Sequence, residues 1–129
     1  MLRSIVVLMS VAVAVGAVAD ESKKGTAKKT FEGTLVDVKC YSLDHKNTGD
    51  KHGDMDGCGK ACLEQGLPAG LVTGGHLYVL AADPRPLADH VGQKAKLQGD
   101  LKDNILIPSS TFKITGADGK EVEVGSGGH

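Results

Sequence analysis

The chain has 129 residues, of which 40% are hydrophobic, 24% charged and 3% aromatic, and its 15 basic and 16 acidic residues leave a formal net charge of -1. That is the size of one small domain. There is no excess of Lys and Arg to neutralise phosphates, and two Phe, two Tyr and no Trp give little platform for stacking bases, so nucleic acid is not an expected partner.

Residues 1–19 read as a signal peptide. Arg3 supplies a short positive region, residues 5–15 are apolar apart from one Ser, and Ala17, Val18 and Ala19 form a small-x-small cleavage pattern. The apolar run, about 11 residues, is well short of the ~20 that span a bilayer, so no stable membrane insertion is expected after cleavage. The mature chain is then periplasmic or secreted, where disulfides persist. Residues 20–30 are polar and Lys-rich and read as a flexible leader.

The first strand is expected over residues 31–39 (FEGTLVDVK), a β-branched and roughly alternating stretch. Residues 40–68 read as loop, broken by a short helix over 57–65 that Gly66 and Pro68 terminate. Residues 71–73 and 76–81 flank Gly74-Gly75, the signature of a hairpin with a primed turn. A short helix over 87–91 follows, then strands over 94–101, 105–107, 111–114 and 121–124, with turns at Asp103-Asn104 and Asp118-Gly119 and a tail over 125–129. Short strands at regular spacing predict a mainly β fold over residues 31–124. The expected form is a small OB-like antiparallel β-barrel with a short Cys-bearing helix inserted after strand one. A helix between strands three and four suits that architecture.

The chemistry-bearing residues are concentrated in one stretch. Cys40, Cys58, Cys62, His45 and His52 fall within 23 residues. Cys58 and Cys62 are four apart, so a helix puts both thiols on one face. With Cys40 and one imidazole they could close a Cys3His tetrahedron for zinc or copper. His52 is slightly favoured over His45 as fourth ligand because it lies nearer the helix start. The alternative is a disulfide from Cys40 to Cys58 or Cys62, closing a loop of roughly twenty residues and contributing about 3 kcal/mol. Any single bridge leaves one thiol over, which hints at a metal, a reactive thiol or an intermolecular partner.

His76, His90 and His129 read as surface or terminal residues. The Asp54-Met-Asp56-Gly57 stretch is out of frame for a calcium loop, since His52 would hold position one and Leu63 position twelve. Hydrolase, zincin, phosphate-loop and dinucleotide motifs are absent. Without C-x-x-C, a thiol redox protein is a weaker reading, and no catalytic residue is assigned.

The combination of GTLVDVKC at 33–40, a His-containing loop, the C-x3-C of Cys58 and Cys62, GGHLYVL at 74–80 and VGQKAKLQG at 91–99 resembles a group of small exported bacterial proteins of uncharacterised function. These join a D-x-x-C strand end and a C-x3-C helix to an OB-like barrel with a G-x-x-V-x-V-x-G strand. The resemblance covers residues 31–115, with Ala95 and Leu97 as conservative departures in the last motif. It implies a fold and an export route. From the Cys and His cluster, the expected function is an exported metal-binding protein for copper or zinc sequestration, delivery or sensing, possessing no enzymatic activity. Its alternative is a disulfide-stapled binding module whose barrel surface recognises another exported protein or a small ligand.

Overall fold

A computed structural model describes residues 28–125. The signal-peptide reading, most of the leader and the tail beyond Gly125 lie outside the described residues. The described chain runs β1 (Lys29–Asp37), α1 (Val38–Leu43), α2 (Cys58–Glu64), β2 (Ala69–Thr73), β3 (His76–Leu80), a 3-10 helix (Arg85–His90), β4 (Lys94–Lys102), β5 (Ile105–Pro108), β6 (Phe112–Thr115) and β7 (Glu121–Val124).

Five strands close a ring in the order β1-β2-β3-β5-β4-β1, and β6 and β7 lie outside it, extending from β4. The OB-like barrel expected from the strand spacing is therefore present. One pairing is not antiparallel: β3 runs parallel to β5, with Val79 opposite Ile105. A closed ring with an odd number of strands cannot alternate direction throughout, so one parallel neighbour is a geometric necessity. Gly33 of β1, which pairs with Ala95 of β4, also lies close against the backbone of β2 on its other side. A Cβ there would stand 2.4 Å from the Val72 carbonyl oxygen, which no side chain tolerates.

Period-two alternation decides what faces inward. Along β4, Ala95, Leu97 and Gly99 are buried while the lysines and Gln98 between them are exposed. Phe112 and Ile114 of β6 bury in the same way. These side chains meet Leu35, Leu71, Leu80 and Leu106 in one core, which Cys62 and Leu63 of α2 and Leu87 and Ala88 of the 3-10 helix join. The hairpin turn at Gly74-Gly75 has φ of 56° and 80°, the positive values a primed turn needs.

The main correction to the sequence reading concerns the end of strand one. The strand stops at Asp37 rather than Lys39, and Val38–Leu43 form a short helix. Asp37 is the N-cap: its Oδ1 accepts the Cys40 N–H at 2.8 Å. A capping hydrogen bond at the third helical position satisfies a donor that a continuing strand would leave exposed, and here it outweighs the β preference of Val38.

Candidate metal centre

The two short helices bring the three thiols together. Cys40 is the third residue of α1. Cys58 and Cys62 occupy the first and fifth positions of α2, one turn apart on the same face, as their spacing predicts. The three sulfur atoms lie within 4.8 Å of one another, and all three cysteines are free thiols. Cys62 is buried against the barrel core, and Cys40 and Cys58 are half-buried.

The loop between the helices is built on Asp50 and glycine. Asp50 accepts the Lys60 N–H through Oδ1 at 2.7 Å and the Gly59 N–H through its backbone carbonyl at 3.0 Å. Gly59 lets the loop seat this closely. A Cβ there would stand 2.8 Å from Val91 Cγ1 and 3.2 Å from the Gly49 carbonyl oxygen. His52 and Met55 then exchange backbone hydrogen bonds at 3.0 and 3.1 Å, closing a tight turn. Asp54 and Asp56 are exposed, and Asp56 pairs with Lys51 at 3.3 Å. The acidic residues of this loop thus serve its fold and its solvation.

That turn carries His52 inward. Its side chain is 5% exposed, and Nε2 lies 2.8 Å from the Gly49 carbonyl oxygen. A carbonyl only accepts, so Nε2 carries a proton, and in a neutral ring Nδ1 is then the lone-pair nitrogen. Nδ1 is buried and has no hydrogen-bond partner. Asp37, fully buried, is in the same condition: Oδ1 caps α1, whereas Oδ2 has no hydrogen bond. Oδ2 stands 3.4 Å from His52 Nε2, within ion-pair distance, but the Nε2 proton is already directed to Gly49. Asp37, Cys40 and His52 form a second set of donors within 4.8 Å of one another.

The structure therefore distinguishes the two histidines proposed as the fourth ligand. His52 is buried beside Cys40, though it does not share one 4.8 Å set with Cys58 and Cys62. His45 is exposed and stacks on Tyr41, with ring centroids 4.8 Å apart and planes at 13°, and it belongs to neither donor set. His76 and His90 are occupied elsewhere, with Asn104 at 3.3 Å and Gln93 at 3.1 Å. Asp37 is the residue that sequence reasoning did not count as a donor. Its signal was the three-residue spacing to Cys40, which is that of an N-cap.

The electrostatics of the cluster disfavour isolated thiolates. Burial, then the neighbouring Asp37 carboxylate and the other two cysteines, pushes the Cys40 thiol up to about 12. Cys62 is also raised, again by burial first and Asp37 second, with Cys40 and Lys39 acting in the opposite direction. Three soft sulfur donors brought together in this way form a set that could hold a metal ion.

Comparison with known proteins finds no matching family model, curated protein or solved structure.

Proposed function

We propose that this chain is a noncatalytic metal-binding protein of the periplasm or extracellular space that holds zinc or copper on Cys40, Cys58 and Cys62. The observation that carries this reading is the convergence of three free sulfur donors, from two separate helices, within 4.8 Å of one another. Zinc–sulfur bonds are about 2.3 Å long, so an ion at the centre of such a triangle reaches all three with small side-chain adjustments. The thiols must lose their protons to bind and the cation offsets the resulting negative charge, which makes affinity steeply pH-dependent.

With three protein ligands, a fourth coordination position is open to water or to a donor from another molecule. That suits sequestration or delivery to another exported protein. Among the described residues no helix is long and apolar enough to cross a membrane.

The test is metal content by mass spectrometry, with a free-thiol count, on protein purified from the periplasm without chelators. Stoichiometric zinc or copper, reduced in Cys58→Ser, is expected. Metal-free protein with one free thiol would replace this reading with a disulfide-stapled binding module.

A further inference from the structure

The two buried atoms without partners, Asp37 Oδ2 and His52 Nδ1, lie in residues of one donor set. A buried polar group left unsatisfied costs on the order of 1–3 kcal/mol, and native interiors leave few such groups. Two in one contiguous site call for an occupant. Neither can serve the other as drawn: a carboxylate oxygen and an unprotonated imidazole nitrogen are both acceptors. The Cys40 thiol of the same set makes no hydrogen bond to Oδ2 and gives up its proton on ligation, so the partner that would serve both atoms is a cation.

The surroundings of each residue fit the cation. A metal-bound histidine characteristically donates its other ring N–H to a carbonyl or carboxylate, which fixes the tautomer and aims the lone pair. His52 already does this through Nε2 and Gly49 at 2.8 Å. Asp37 is held by its capping bond to the Cys40 N–H, so its second oxygen is presented without conformational freedom. Cys40 belongs to both donor sets, and those sets share no other residue. A thiolate has lone pairs enough to bridge two ions. Once ionised, three thiolates and one carboxylate carry four negative charges, which two divalent ions balance and a single one does not.

We propose that Asp37, Cys40 and His52 form a second metal site, which takes a borderline divalent ion such as zinc and shares the Cys40 thiolate with the three-cysteine centre. This rests on the metal-binding reading above and extends it from one ion to a thiolate-bridged pair. A mixed oxygen, nitrogen and sulfur donor set suits Zn(II) better than Cu(I), which prefers sulfur. On binding, the thiol protons leave to solvent and no electrons are exchanged.

The experiment is native mass spectrometry of the full chain, stripped of metal under reducing conditions and titrated with Zn(II). Two zinc ions per wild-type chain are expected. His52→Gln and Asp37→Asn are each expected to hold one, and Cys58→Ser is expected to keep one on the Asp37–Cys40–His52 set. One zinc in the wild type, unaffected by His52→Gln but lost in Cys58→Ser, would overturn the second site and leave the three-cysteine centre standing. One zinc lost in both variants would mean a single shared site, and would also overturn the proposal. No zinc in the wild type would overturn the second site and leave the three-cysteine centre standing only as a copper site. The wild-type stoichiometry is decisive even if a variant fails to fold.

Discussion

The barrel wall and the segment inserted between β1 and β2 are built on opposite principles. The barrel satisfies itself: its strands pair around a closed ring and its inward residues are apolar, from Leu35 through Leu106 to Phe112. The insertion packs two short helices and a glycine-seated loop around free thiols, and the two buried polar residues of the described chain lie in it or at its edge: His52 in the loop and Asp37 at the end of β1. Stability in the first region is a property of the chain alone. In the second, on the metal-binding reading proposed above, it depends on what the chain binds, which is the expected division between scaffold and site.

The sharpest way to break this comparison is to damage the barrel. Phe112 is fully buried, and Phe112→Ala is expected to cost about 3–5 kcal/mol by chemical denaturation. The same loss should appear with and without zinc, because the cavity lies in the scaffold.

The insertion should respond in the reverse manner. Zinc at a hundredfold excess over its Kd is expected to stabilise the protein by about 3 kcal/mol, which for a domain of this size is roughly 10–20 °C in Tm. Chelation should reverse the shift, and Cys58→Ser should remove most of it, while the far-ultraviolet circular dichroism of the barrel stays unchanged. An equal zinc response in Cys58→Ser would dissociate metal binding from the cysteine cluster.

A smaller effect follows from the raised thiols. An unfolded Cys40 ionises near 9.0, and the folded one keeps its proton up to about 12. Between those values the unfolded state has lost a proton that the native state retains, so raising the pH favours unfolding. The contribution of Cys40 to stability is fully present below pH 9 and is lost as pH rises through the folded value. Reduced, metal-free protein is therefore expected to lose stability across this window, and Cys40→Ser should flatten that loss in denaturation curves. A wild-type curve as flat as that of Cys40→Ser would contradict the charge environment described for the cluster.

The smallest effect is expected at the surface contact between the insertion and the 3-10 helix. Lys60 of α2 donates to Asp89, which raises the lysine and lowers the carboxylate from their ordinary values. Both side chains are solvent-accessible, so Asp89→Asn should cause only a slight destabilisation that salt conceals. A large, salt-independent loss would mean that this contact, rather than the glycine seat, positions the insertion.

Much of the architecture was legible because its signals are local. The alternation of β4, the Gly74-Gly75 turn and the helix carrying Cys58 and Cys62 each depend on residues a few positions apart. The error at the end of strand one has a local cause too. Val38 and Lys39 extend the β-like pattern by two residues, and only the capping role of Asp37 reveals that the chain has already turned into a helix.

The sequence by itself determined the strands, the turns and the shared face of Cys58 and Cys62, because periodicity and turn chemistry are written in neighbouring residues. Only the tertiary structure decided that Cys40 joins them, that His52 and not His45 turns inward, and that Asp37 lies buried beside Cys40 and His52. Those choices depend on the path of a loop seated on Gly59 and on the closure of a barrel, and contacts between distant residues leave no period in the chain that makes them.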